Sequence, residues 1–140
     1  MKTDLKLKND LIEIERLADC VLSFGKEHGL SDDAVWEIRL VLEEVVTNII
    51  SYGYEDGSAH EIDVSIVNEE EEIAVIIRDD ARPFNLLDHP RPDFEISLED
   101  RGIGGMGIHM VREIMDEINY KREDGGNLLV MKKRKLKESV

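Results

Sequence analysis

The strongest constraint on the fold is a change of hydrophobic period near the middle of the chain. Before residue 53 the apolar residues recur at helical spacing, and after residue 60 they alternate. Leu11, Ile14, Leu17, Ala18, Val21 and Leu22 predict a helix from Asn9 to about His28. Asn9 or Asp10 can cap its start, and Gly29 is a natural stop. A second helix is predicted after Ser31, an N-cap residue followed by two aspartates that suit the positive helix end. Its seam is Val35, Ile38, Leu42, Val45 and Ile49, and it ends near "SYGYEDGS". Then "EIDVSIV" places Ile62, Val64 and Ile66 on one face, and "EIAVIIR" does the same for Ile73, Val75 and Ile77. The acidic run "NEEEE" joins them as a hairpin turn.

The rest of the chain completes the pattern. "DLKLK" (4–8) reads as a short first strand. Residues 79–105 hold all three prolines and three of the ten glycines, and read as a long functional loop. A third helix is predicted over about 106–118. "INYKR" and "NLLVMKK", joined by "EDGG", make a closing hairpin. The order β-α-α-β-β-loop-α-β-β predicts an α+β, two-layer sandwich. Its sheet is mixed and mostly antiparallel, with about three helices on one face. The length of 140 residues suits one domain spanning 1–140.

Composition narrows the partners. With 32 acidic against 18 basic residues the formal charge is −14, which repels phosphate backbones and argues against nucleic acid. A nucleotide is still allowed, because a divalent cation and backbone amides can carry the phosphate contact. One cysteine, Cys20, excludes an internal disulfide and suits a reducing compartment. No apolar run has the length of a membrane span, and the N-terminus lacks a signal-peptide pattern. The expectation is a cytoplasmic protein without membrane contact.

Three stretches carry more than scaffold. In "LEEVVTNII" Glu44 and Asn48 are four apart and share a helix face. An asparagine late in an apolar helix needs a partner for its amide. In "IIRDDARPFN" an apolar strand runs into Asp79 and Asp80. A carboxylate there either caps the following turn or stands as a rigid acceptor at a pocket rim. In "RGIGGMGIHM" four glycines, Gly102, Gly104, Gly105 and Gly107, precede and enter a helix. Glycine is entropically expensive, so the cluster is either a hinge or a place where backbone amides approach an anion. The four histidines show no metal-ligand spacing, and Trp36 reads as a core or interface anchor.

Taken together, these stretches resemble the GHKL ATPase superfamily, and within it the bacterial anti-sigma factor serine/threonine kinases (the RsbW-like group). "EVVTNIISYGY" resembles the E-x-x-x-N box, and "RDDARPFN" the D-x-G-x-P-F loop. "GGMGIHMVREIMDEINY", with the Gly-Gly-Asn turn after it, resembles the final glycine box and closing strands. The resemblance implies an ATP-dependent protein serine/threonine kinase using Mg2+. It implies an anti-sigma factor that works as a homodimer, holds a sigma factor and phosphorylates a STAS-type antagonist. By resemblance Asn48 holds the metal, Asp79 accepts the adenine amino group, and Ala81 lies at the adenine edge. Gly104, Gly105, Met106 and Gly107 surround the phosphates, and Glu44 acts as base or positioner for the incoming hydroxyl. The implied lid, from about Asp88 to Gly107, orders when nucleotide binds.

There are departures. Ala81 replaces the usual loop glycine, Tyr52 stands where histidine is frequent, and "NLLVM" lacks the threonine expected beside the aspartate. The alternative function is a nucleotide-gated binding module that sequesters its partner without phosphorylating it.

Overall fold

The computed structural model describes residues 2–88 and 105–135. The elements are β1 (Lys2–Lys8), α1 (Glu13–His28), α2 (Asp32–Tyr52), β2 (Glu61–Asn68) and β3 (Glu72–Asp79). A short 3-10 turn (Leu86–Asp88), α3 (Gly105–Ile114), β4 (Glu117–Glu123) and β5 (Gly126–Arg134) complete the chain order. The five strands form one sheet in the order β1-β2-β3-β5-β4. Every pairing among the described residues is antiparallel, so the sheet is simpler than the mixed one expected.

The two-residue period determines which face is buried. The register stacks Leu7, Ile62, Val64, Ile77 and Leu129 across four strands on one face. Those residues are 7% exposed or less, as are Leu17, Val21, Ile38 and Leu42 of the helical layer above them. Each fully buried Leu or Ile contributes about 1.5–3 kcal/mol relative to exposure. This apolar layer holds sheet and helices together far more than surface ion pairs such as Lys6–Asp63, which water screens. Lys133, on the same sheet face as Leu129, is charged yet only 6% exposed, and its Nζ pairs with Glu37 on α2 at 3.0 Å.

Local signals act largely as the sequence implies. Ser31 Oγ accepts the Ala34 N–H at 3.1 Å and starts α2. Gly29, in the left-handed region, ends α1. Asp124 and Gly125, both at positive φ, close the β4–β5 hairpin as a two-residue turn.

Three expectations are corrected. Helix α1 starts at Glu13 with Ile12 at its N-cap position. Neither Asn9 nor Asp10 caps it; Asp10 instead accepts the Ile12 N–H in the preceding turn. Leu11 and Leu22, both expected in the seam, are exposed. Helix α3 stops at Ile114, because Ile118 belongs to β4 and pairs with Met131. Trp36 is 61% exposed on α2 and takes no part in the core, since Val35 and Ile38 occupy the inward positions beside it.

Candidate active site

The site forms where the C-terminal half of α2, the end of β3 and the start of β5 meet α3. Helical spacing puts Val45, Asn48, Ile49 and Tyr52 along one wall of a cavity of about 510 Å³. Asp79 and Asn127 stand opposite each other at the ends of β3 and β5 and supply the polar groups of the sheet side. Ile108 and Val111 of α3 close the cavity from the other side, and the walls are otherwise mostly apolar. An apolar slot with a few convergent polar groups is a small-molecule site by its chemistry.

Asp79 is anchored tightly. Its Oδ1 accepts the Asn127 side-chain amide at 2.8 Å and the Ala81 backbone N–H at 2.9 Å. Burial raises its pKa above the ordinary carboxylate value. The bonds from Asn127 and Ala81 pull the other way, Asp80 adds to the rise, and Arg122 opposes it. Asp79 therefore both closes its own turn and faces the cavity, so the two readings of this residue are compatible.

Glu44 and Asn48 meet as their spacing predicts. Asn48 Nδ2 donates to Glu44 Oε2 at 2.8 Å. One amide N–H is thereby occupied, and among the described residues the carbonyl oxygen of this cavity-lining side chain accepts no hydrogen bond. That oxygen suits a hard cation such as Mg2+, which takes one or two protein oxygens and completes its shell with water and phosphate. Among the described residues no cluster of three or more His, Cys, Asp or Glu is placed to hold a metal ion.

Helix α3 comes close enough to touch this pair. A Cβ added at Gly107 would collide with the carboxylate of Glu44. The glycine is thus needed for close packing of α3 on α2, which is neither a hinge nor a contact of backbone amides with a ligand anion. Gly105 and Met106 open α3 in helical conformation. Gly104 and Gly102 lie outside the described residues, as does residue range 89–104, where most of the expected lid falls.

Ala81 proves well accommodated. It is 3% exposed, and among the described non-glycine residues only Asp124 has a positive φ, so the alanine bears no backbone strain. Its methyl sits against Gly53, where an added Cβ would lie 2.7 Å from it. Glycine at the end of α2 leaves room for the methyl that replaces the expected loop glycine.

Asn127 escaped the sequence reading. It is 8% exposed, and besides Asp79 its amide reaches the carbonyls of Arg82 at 3.0 Å and Ala81 at 3.3 Å. Its oxygen accepts the Tyr120 hydroxyl at 2.5 Å and Arg122 Nη1 at 3.3 Å. It occupies the position where a threonine was expected. The available signal was a polar residue directly after the hairpin glycines, at the head of an apolar strand.

A second polar cluster lies beside the site. His60 Nδ1 meets Asp80 Oδ2 at 2.9 Å, and His60 Nε2 meets Asp56 Oδ2 at 3.0 Å. The imidazole stacks on Tyr54 with ring centroids 4.4 Å apart. Hydrogen bonds to Asp80 and then Asp56 raise the His60 pKa. This clamp fastens the loop after α2 to the end of β3.

Comparison with known proteins agrees with this geometry. The histidine kinase-like ATPase domain family matches residues 7–133. The chain is 30% identical over 98 residues to an anti-sigma F factor of Oceanobacillus iheyensis, covering 70% of this chain and 67% of that protein. It is 26% identical over 102 residues to the serine/threonine-protein kinase BtrW of Bordetella bronchiseptica, covering 73% and 72% respectively. It is 23% identical over 135 residues to a serine-protein kinase RsbW of Halalkalibacterium halodurans, covering 90% and 77%. A crystal structure of the RsbU and RsbW domains of a Mycobacterium tuberculosis protein shares the fold, with a TM-score of 0.67 at 14% identity. The match covers 96% of this chain and 32% of that longer one.

Proposed function

The chain belongs to the histidine kinase-like ATPase domain family, and from that premise we propose that it is an ATP-dependent protein serine/threonine kinase and anti-sigma factor. Residues 1–140 act as one nucleotide-binding kinase domain. The observation that carries this reading is the pairing of a half-buried carboxylate, Asp79, with Asn48 along one apolar cavity, with Glu44 bonded to that asparagine.

The roles derive from the chemistry of each group. Asp79 accepts the exocyclic amine of adenine, and the apolar walls take up the ring faces. Asn48 offers its carbonyl oxygen to Mg2+, and the ion when bound supplies charge neutralisation at the phosphates. Glu44 positions the incoming hydroxyl and takes its proton. The backbone amides at the start of α3, with Gly104, Gly105, Met106 and Gly107, cradle the phosphates at the positive helix end. Phosphoryl transfer asks chiefly for alignment and electrostatics, which this set can provide.

The partners are a sigma factor, which the protein sequesters, and a STAS-type antagonist, whose serine or threonine it phosphorylates. It works as a homodimer in the cytoplasm. The names of the relatives support the kinase and anti-sigma reading. No described helix is long and apolar enough to cross a membrane.

The test is to incubate the protein with Mg-ATP and candidate antagonists and read phosphoserine or phosphothreonine by mass spectrometry. Stoichiometric transfer is the expected result. Nucleotide binding and sigma-factor capture without any transfer would replace the kinase with a nucleotide-gated binding module.

A further inference from the structure

We propose that Asn127 sets the base selectivity of the nucleotide cavity by saturating one oxygen of Asp79. The proposal rests on the nucleotide reading of that cavity and adds a positioning residue to it.

Hydrogen-bonding capacity decides the point. Both bonds that Asp79 receives, from the Asn127 amide and the Ala81 N–H, fall on Oδ1. Among the described residues Oδ2 receives none. Asp79 therefore presents a single free acceptor to a ligand. Adenine offers one donor on its edge, the 6-amino group, beside the N1 acceptor. Guanine offers two adjacent donors, N1–H and the 2-amino group, which a carboxylate with both oxygens free would take in parallel. A carboxylate with one oxygen occupied matches adenine and gains nothing from the second donor of guanine.

Asn127 is suited to this task because it has no freedom of its own. Its amide is spent on Asp79 and on the carbonyls of Arg82 and Ala81. Its oxygen is held by Tyr120 and Arg122. Arg122 also donates to the Ala81 carbonyl at 2.7 Å, so the loop that supplies the other Oδ1 donor is held by the same hairpin. A fully paired side chain cannot swing out to contact the base, and it acts through Asp79 alone. A bond to a charged acceptor is strong enough to matter for selectivity.

The experiment measures affinities for Mg-ADP, Mg-GDP and Mg-IDP by calorimetry on the full chain, with thermal melts alongside. IDP shares the 6-oxo group and N1–H of guanine but lacks the 2-amino group. The wild-type protein should prefer ADP and bind GDP and IDP equally weakly. Asn127→Leu should lower the ADP-to-GDP ratio by about tenfold or more, with GDP gaining over IDP as one of the two acceptor positions of Oδ1 opens while the Ala81 N–H keeps the other. Asn127→Thr, whose hydroxyl can still donate to Oδ1, should keep the wild-type ratio within about threefold. A purely structural role would lower the melting temperature and leave the ratio alone, and that result overturns the proposal. Should Asn127→Leu fail to fold, the wild-type comparison still decides: a preference for GDP over IDP of about tenfold would show that both oxygens are free. Wild-type protein that binds no ADP would remove the nucleotide reading itself, and the proposal with it.

Discussion

Gly107 on α3 and Glu44 on α2 are in such close contact that a Cβ at position 107 would collide with the glutamate carboxylate. Glu44 in turn accepts the Asn48 amide at 2.8 Å. The glycine-rich stretch and the E-x-x-x-N helix, some sixty residues apart in the chain, are one unit in space. The contact gives the glycine a specific task, which is to let α3, whose start is the proposed phosphate cradle, lie directly on the carboxylate proposed to orient the attacking hydroxyl.

Gly107→Ala tests that contact. The clashing atoms are the far end of a flexible side chain, so Glu44 moves aside and the fold survives. Displacing a positioned group by about 1 Å can lower a rate about 100-fold, so phosphotransfer should fall by that order with an almost unchanged melting temperature. Gly25→Ala is the contrasting case. Its Cβ would strike Val35 between α1 and α2, and overpacking there should cost about 1–3 kcal/mol of stability. If Gly107→Ala lost stability while Gly25→Ala lost only activity, the assignment would be reversed.

Glu44→Gln separates positioning from proton transfer. Glutamine keeps an oxygen to accept the Asn48 amide, so the site geometry and the KM for ATP should stay within a few-fold of wild type. A general base contributes typically about 10²–10⁴-fold, and kcat should fall within that range. Single-turnover transfer to the antagonist is the measurement. Full activity in the glutamine variant would remove Glu44 from the chemistry.

Asp79→Asn should stabilise the nucleotide-free protein and abolish its response to nucleotide. Burial is the largest influence on Asp79 and raises its pKa above the ordinary 3.8. The folded state thus holds that proton more tightly than the unfolded chain does. Its favourable contribution is complete only below pH 3.8 and is lost as the pH rises through the raised value. At neutral pH the ionised carboxylate opposes folding, and a neutral amide relieves this while still accepting from Asn127 and Ala81. Melting with and without Mg-ADP checks both halves: a higher ligand-free Tm and no ligand-induced shift.

The His60 clamp carries its own pH signature. Hydrogen bonds to Asp80 and Asp56 raise the His60 pKa above its ordinary 6.5. Its contribution is therefore fully present below 6.5 and disappears as the pH rises through the raised value. Asp56 is lowered from 3.8, first by the Ser58 backbone N–H and then by His60. Burial works against Asp80, yet the His60 bond holds it below 3.8 as well. Those two contributions are present above 3.8 and are lost as the pH falls through the lowered values. The Tm difference between wild type and His60→Ala should be greatest between about pH 4 and 6.5 and shrink on either side. A difference independent of pH would mean that the ring stacking on Tyr54, not its charge, holds the loop.

Much of the fold is legible in the sequence because period and punctuation are local. The alternation in "EIDVSIV" and "EIAVIIR" places Ile62, Val64, Ile73 and Val75 inward whatever the strands pair with, and they are buried. The i, i+4 spacing of Glu44 and Asn48 puts them on one face of any helix, and they are hydrogen-bonded. The end of α3 is not legible, because Ile114, Met115 and Ile118 fit a helical stripe equally well, and pairing with Met131 decides against it. Of the two readings of Trp36, core or interface anchor, the core one fails: its neighbours Val35 and Ile38 belong to the seam, and one helix step of about 100° turns it outward.

The sequence by itself determined the order of elements, the inward faces, the acidic surface and the three stretches proposed to carry the chemistry. Each of these comes from spacing along a single helix, strand or turn. Tertiary structure alone decided that Gly107 rests on Glu44, that Gly53 makes room for Ala81, and that Asn127 holds Asp79. Those relationships join residues 28 to 63 positions apart. They depend on the strand order β3-β5-β4 and on which face of α3 meets α2, and no local propensity encodes either. Whether a glycine is a hinge or a contact, and whether an asparagine is a turn residue or a brace, is settled only by the side chain that occupies the adjacent space.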